Sequence, residues 1–438
     1  MSRDMLVDAK IRSIKKFYFL DYFFVLLKCI EDYSREEAIF EHFLKLKQEY
    51  QLGESKFKRL TISDDIPTPR KRSRYKYTFQ QVLIEAEDFG LIKKDNNAII
   101  LTNTGIDALQ TYNGDDGLIK FNKLIFTLME ENYRFGFYYL IQTLYQANPK
   151  RHGLLILPSY SPYQLGFDRS ALKSTEDFMA YFDALKNRLV DDINVHVGSN
   201  VNLDEKNIQL VNRLISAGLL PKQLSNHFDP IKYNSIVKRG RDYWLNYFLQ
   251  ELYKFPASLN TFEIWAYRGK QMGILHITEF YPDPNLQGRI VYPLSIIAKS
   301  ASSNAFEELF LYPDGLRLLA HNPTWESIQE AFVKSLHEAY LQLRSSARTY
   351  FVSLSSVREL VCYNIKIPEY LFDKFLGFAY RMSFSGDLGK MQISLEVDKL
   401  PTETTAMYLK RTPVMIDGKY RNIIAVDVAS REKTNVRY

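Results

Sequence analysis

The sequence predicts a mainly helical α+β protein of several domains, with small antiparallel sheets. Three observations lead there. The chain has 438 residues, and single hydrophobic cores stop growing at roughly 250–300 residues. Apolar residues recur at helical spacing through most of 10–255, whereas alternating, period-two patterning sets in near residue 259. Residues 350–438 then read as helix, turn, helix, strand and hairpin. With 46% hydrophobic and 25% charged residues, the composition is that of a chain able to bury proper cores. The division expected is 10–112, 117–255, 259–348 and 350–438.

The first region carries helical patterns over 14–33 and 34–50. A polar, basic stretch follows from Lys56 to Lys76, which Pro67 and Pro69 predict to be extended. A helix is expected over 78–89, with Thr78 as N-cap and Gln81 three residues on. Gly90 ends it, as glycine commonly does. Residues 91–94 and 98–102 form a small hairpin around Asp95-Asn96-Asn97, and Thr104-Gly105-Ile106-Asp107 opens a further short helix.

The second region is helical over 118–144, with a break near Gly136, and again over 178–190, 203–217 and 241–255. The third reads as strands: 261–267 and 272–280 flank Arg268-Gly269-Lys270 as a hairpin, 289–298 is one strand, and 306–312 and 316–320 flank Pro313-Asp314-Gly315. Thr324 then caps a long helix, 325–345. In the last region Ser353 or Ser355 caps a helix over 356–363, and Pro368 starts a second helix to 382. A strand over 391–397 and a hairpin turning at Asp417-Gly418-Lys419 close it.

Two segments carry a resemblance. Residues 89–109, running from Phe89-Gly90-Leu91-Ile92 through the hairpin to Ala108-Leu109, resemble the end of many prokaryotic winged-helix proteins. Residues 352–360 (VSLSSVREL) with 367–376 (IPEYLFDKFL) resemble winged-helix domains of bacterial and archaeal defence or mobile-element systems. The latter resemblance covers about a fifth of the chain. It implies winged-helix-type modules at both ends. It also implies a helix-turn-helix DNA-binding or adaptor subunit of a protein complex, in an antiviral defence or mobile-element setting.

Composition sets the partners expected. A net charge of +6 fits a nucleic-acid partner without demanding one. The candidate contacts are Lys56, Lys58, Arg59, Arg70, Lys71, Arg72, Arg74 and Lys76, with Tyr75 and Tyr77 interleaved, because clustered cations neutralise phosphates and neighbouring aromatics stack. A solvated loop is the plain alternative for such a run. In the last region the second helix offers Lys374 and Arg381, while Tyr370, Phe372, Phe375 and Phe378 suit protein contacts better. Double-stranded DNA and further protein subunits are the partners expected. A scaffold without DNA contact is the runner-up.

Nothing in the sequence announces catalysis. No phosphate-binding Gly-x-x-x-x-Gly-Lys-Ser/Thr run occurs, the seven histidines are dispersed, and Cys29 and Cys362 sit in apolar surroundings as free, buried thiols. His276 is expected on a strand as a packed or exposed residue. A metal-dependent nuclease would need clustered carboxylates; Glu263, Glu279 and Asp283 are the acids available, and Asp417-Gly418-Lys419 is better explained as a turn. No catalytic residue, metal site or cofactor is expected. The apolar run 17–27 is too short to span a bilayer and contains Asp21, so a cytoplasmic protein without membrane contact is expected.

Overall fold

The computed structural model describes residues 14–50, 52, 69–114, 116–158, 160–196, 204–221, 228–255, 257–278, 288–300, 305–347, 349–389, 391–397 and 414–428. It is mainly helical, with five small sheets of two or three strands among the described residues. No helix among them is long and apolar enough to cross a membrane. The chain forms two compact units. A middle unit holds Gly136–Ala266 and His276–Pro293; a terminal unit holds Lys15–Phe135, Tyr267–Leu275 and Leu294–Tyr438.

The terminal unit begins with α1 (Asp21–Asp32), α2 (Glu36–Glu49) and α3 (Pro69–Asp88). The hairpin β1 (Ile92–Asp95) and β2 (Ala98–Leu101) follows, then α4 (Asn103–Asn113) and α5 (Gly117–Asn132). The hairpin turns on Asn96 and Asn97 at φ 44° and 68°, the left-handed pair a tight antiparallel turn requires. The amide of Ile99 donates to the carbonyl of Ser34, 2.8 Å away, so the α1–α2 junction pairs with the hairpin. Thr102 fixes the next corner. Its hydroxyl donates to the Gly90 carbonyl at 2.5 Å and accepts from the Gly105 amide at 3.1 Å.

The basic stretch departs from expectation. From Pro69 onward it is helical, and Thr78 lies inside α3 with its hydroxyl donating to the Arg74 carbonyl at 3.2 Å. Pro69 marks a start because proline is tolerated in the first turn, and the arginines and lysines after it are good helix formers. Residues 56–68 of the stretch lie outside the described residues.

In the middle unit come α6 (Gly136–Ala147), β3 (Leu155–Pro158), α7 (Thr175–His196), α8 (Asp204–Ser216) and α9 (Tyr233–Tyr247). Next are α10 (Leu259–Gln271), β4 (Leu275–Thr278) and β5 (Gly288–Pro293). The sheet order is β3-β5-β4, and β3 and β4 are buried throughout. Gly136 is required where it lies, since a Cβ would enter the ring of Trp265.

The hairpin expected around Arg268-Gly269-Lys270 is instead the end of α10. Alternation suggested strands, but the helix buries Phe262, Ile264, Trp265, Ala266 and Arg268, a wide stripe that two periodicities both fit. The expected single strand 289–298 is two strands, β5 and β6 (Ser295–Ala298), which join different sheets.

The terminal unit resumes with β6, β7 (Phe306–Leu311) and β8 (Arg317–His321), in the order β6-β8-β7. The Pro313-Asp314-Gly315 turn forms as read, with Gly315 at φ 80°. After α11 (Trp325–Ser346) come β9 (Val352–Ser353), α12 (Leu354–Ile365), α13 (Glu369–Ser385), β10 (Met391–Glu396), β11 (Val414–Ile416), β12 (Lys419–Arg421) and β13 (Ile423–Val428). Ser353 caps α12, and the sheet order is β10-β13-β9. The β11–β12 hairpin turns on Asp417 and Gly418 at φ 49° and 70°. One core joins α11, α12, α13 and these strands, through Phe332, Leu336, Val357, Leu360, Phe372, Phe375, Ile393 and Val426.

Two buried ionic clusters tie the terminal unit together. Arg268 and Glu85 are both fully buried, with Nη2 2.9 Å from Oε2 and Nη1 donating to Oε1 at 3.0 Å. Tyr133 also donates to this carboxylate, and burial pushes its phenol well up. The rest of the guanidinium donates to the carbonyls of Lys15 and Phe17 at 3.1–3.3 Å. In the second cluster, Lys270 lies 2.9 Å from Glu369, and Arg358 bridges Glu369 at 3.6 Å and Asp373 at 3.3 Å. Burial pushes the Asp373 carboxyl up to about 6, against the opposing pull of Arg358.

Two outcomes follow. Replacing Arg268 with Met strands a buried carboxylate and is expected to cost about 3–5 kcal/mol, with the double variant Arg268→Met/Glu85→Met recovering much of it. Urea denaturation of the three proteins checks this, and a loss below about 1 kcal/mol for Arg268→Met would contradict it. Asp373 binds its proton more tightly folded than unfolded. Its contribution to stability is therefore full below the ordinary carboxylate range and is lost as pH rises through about 6. Asp373→Asn should remove that downward component from a plot of stability against pH between about 4 and 7.

Candidate nucleic-acid interface

The candidate interface is built on α3. Its second half is seated by Phe79, Val82, Leu83 and Ala86, all buried, and by the Glu85 carboxylate. The first half contributes no fully buried side chain. It lies along α2 instead: Arg72 donates to both carboxylate oxygens of Glu41, Lys76 lies 3.2 Å from Glu37, and both cations approach the Phe40 ring. The bond to Glu41 raises the Arg72 guanidinium further above its ordinary value. Lys47 sits 3.8 Å from the centre of the Tyr75 ring. Thus Arg72, Tyr75 and Lys76 form the inner edge of this half-helix and are engaged within the protein.

The opposite edge is different. Arg70, Ser73, Arg74, Tyr77 and Gln80 are exposed at spacings of three and four, which sets them on one face. Among the described residues neither Arg70 nor Arg74 has an ion-pair partner. Lys71 is exposed beside them. The face is also graded in charge: its first turns carry cations and no acid, whereas its far end carries Glu87 and Asp88. Those acids are matched by Lys94 at 3.0 Å and Lys15 at 3.4 Å. Beyond them the β1–β2 hairpin adds exposed Lys93, Asn96 and Asn97. Cations with a phenol, a hydroxyl and an amide suit phosphate oxygens and base edges alike.

Lys374 and Arg381 are both exposed on α13. They are not joined to a shared basic face, because Arg381 donates to Asp417 at 2.6 Å across the β11–β12 turn. Lys56, Lys58 and Arg59 lie outside the described residues. Of the α13 aromatics, Phe372 and Phe375 are buried against Phe332, Tyr370 and Phe378 are half-buried, with Phe378 packed on Trp325, and Phe384 is exposed. Phe372 and Phe375 are therefore unavailable as a docking face, a correction to the sequence reading. Glu263 stands on α10 rather than on a strand and is engaged by Arg289 at 2.7 Å. Glu279 and Asp283 lie outside the described residues. His276 is buried on β4, with its ring 5.2 Å from that of Tyr292, and both cysteines are buried free thiols.

Ser73, Gln80 and Lys93 were missed as candidates. Their helical spacing is in the sequence, but it becomes visible only if the stretch after Pro69 is read as a helix. Comparison with known protein families, with curated proteins and with solved structures finds no match to this chain.

The facing of α3 has a direct check. Tyr77→Ala is expected to change stability by less than about 0.5 kcal/mol, as surface substitutions do. Phe79→Ala should cost about 3–5 kcal/mol through its cavity. Chemical denaturation of both variants distinguishes the outward face from the inward one; equal losses would refute it.

Proposed function

We propose that the chain binds double-stranded DNA without acting on it chemically, as a binding or adaptor subunit. In this reading the terminal unit presents winged-helix-type modules near both ends, and α3 enters a groove by its N-terminal half. The observation that carries the reading is the exposed face of Arg70 and Arg74, without ion-pair partners among the described residues, with Ser73, Tyr77 and Gln80, beside a short hairpin bearing Lys93. Helix-turn-helix proteins present base-reading groups from the start of their second helix, and a wing reaches the adjoining backbone. Further support comes from element order. Helix, strand, helix, helix and then four strands describes α11 to β13, with sheet order β10-β13-β9 and β11 paired to β12. Helix, helix, helix, hairpin describes α1 to β2, with Ser34 pairing to Ile99. The defence or mobile-element setting rests on the sequence resemblance of residues 352–376.

The scaffold alternative keeps only part of the feature that favoured it, because Phe372 and Phe375 are core while Tyr370 and Phe378 are half-buried. The nuclease alternative gains nothing from Glu263, which Arg289 holds.

The test is equilibrium binding of a mixed-sequence duplex at salt concentrations from about 50 to 200 mM, a range over which phosphate-driven affinity falls steeply. Each phosphate neutralised contributes roughly 0.9 to the slope of log K against log salt. Arg70→Ala/Arg74→Ala should therefore flatten the slope by about 1–2. Lys76→Ala, whose ammonium already meets Glu37, should flatten it by less than about 0.5. Absence of salt-dependent binding by the intact chain would refute the reading.

A further inference from the structure

A second face with the same chemistry occurs in the middle unit, on α9. Several cations of this unit are engaged. Lys186 lies 3.4 Å from Asp183, Arg188 lies 3.6 Å from Asp192, and Arg289 holds Glu263. Lys232 donates to the Gly218 carbonyl at 2.8 Å, while Arg169 and Arg213 lie over the rings of Tyr233 and Tyr243. Lys238 and Arg239 differ. They are adjacent and exposed, and among the described residues neither has an ion-pair partner.

The setting of α9 keeps them outward. Tyr233, Ile236, Val237, Gly240, Trp244 and Leu245 are buried on the other side. Gly240 meets the Phe182 ring of α7 so closely that a Cβ would not fit, so the helix is fixed in rotation. Asn234 and Ser235 are exposed one turn before Lys238 and Arg239. That places two rungs of polar side chains about 5.4 Å apart on one face. The acids nearest in sequence do not neutralise them. Asp229 spends its carboxylate on the Ile231 amide at 3.0 Å, and Asp242 lies half-buried one turn beyond.

We propose that this α9 face is a second contact for the nucleic-acid backbone. Lys238 and Arg239 neutralise phosphates, while Asn234 and Ser235 donate hydrogen bonds to phosphate oxygens. Those four residue types are the ones that dominate protein contacts to phosphates. Within α9 the face carries no large apolar anchor of the kind that gives a protein interface its energy; the exposed Ile231 lies one turn before it. The inference rests on the DNA-binding reading above, and its test separates the two.

Duplex binding is measured against salt for the full chain, for Lys238→Ala/Arg239→Ala, for Arg70→Ala/Arg74→Ala and for the quadruple variant, after circular dichroism shows each folded. The α9 pair is expected to flatten the log–log slope by about 1–2, and the quadruple variant by roughly the sum of the two pairs. A slope unchanged by the α9 pair but flattened by the α3 pair overturns the second contact and leaves the first standing. A chain without salt-dependent binding overturns both. If the α9 pair weakens binding to polyglutamate and leaves duplex binding untouched, the face takes an acidic protein instead, and the proposal fails.

Discussion

The terminal unit hangs on one buried guanidinium. Arg268 has no solvent-exposed surface, and it satisfies at once the Glu85 carboxylate and the main-chain carbonyls of Lys15 and Phe17. Its plane also lies 4.2 Å from the centre of the Phe17 ring. A charge taken this far from water is tolerable only when every one of its donors is answered. Three separate parts of the chain are therefore held in one mutual geometry. Three positions on, the Gln271 side chain donates to the Tyr18 carbonyl and accepts from the Leu20 amide, and its own carbonyl accepts from Asn122. Lys270, between them, engages Glu369. Nine residues, Tyr267–Leu275, thus bind the first third of the chain to the last.

This arrangement bears on the candidate interface because Glu85 and Arg70 share a helix. The far end of α3 is fixed by the Arg268 pair. The near end is braced along α2 by Arg72 and Lys76. On the outward edge, Arg70 and Arg74 have no ion-pair partner among the described residues. A pre-set helix of this kind loses little conformational entropy on meeting a ligand, in contrast to an extended basic arm, which must be ordered at the moment of binding.

Much of this was legible in the sequence, and the misses have physical causes. The turns were read correctly wherever their chemistry was local: Asp95-Asn96-Asn97, Pro313-Asp314-Gly315 and Asp417-Gly418 each carry their own backbone preference. Ser353 as a cap and Pro368 as a helix start are local for the same reason. The Arg268-Gly269-Lys270 hairpin failed because α10 buries Phe262, Ile264, Trp265, Ala266 and Arg268, a stripe so wide that alternation and helical spacing both fit it. The basic stretch failed because Pro67 and Pro69 were weighed as breakers, although proline at a first turn favours a helix. Phe372 and Phe375 were misassigned to the surface because helical spacing alone does not say which side α11 will cover. The Arg268–Glu85 pair was beyond reach, since its partners lie 183 positions apart and neither is unusual in its neighbourhood.

That separation also sets an order of events on the ribosome. Synthesis runs from the N-terminus, so α1 to α5 emerge well before Arg268 does. Until then Glu85 and the carbonyls of Lys15 and Phe17 lack the cation that later answers them, and an apolar wall cannot close over them without a penalty. The N-terminal helices must therefore wait, loosely assembled and still wet at that seam, while Gly136–Ala266 is made. The nascent chain cannot lock its first module until more than half of it has been synthesised.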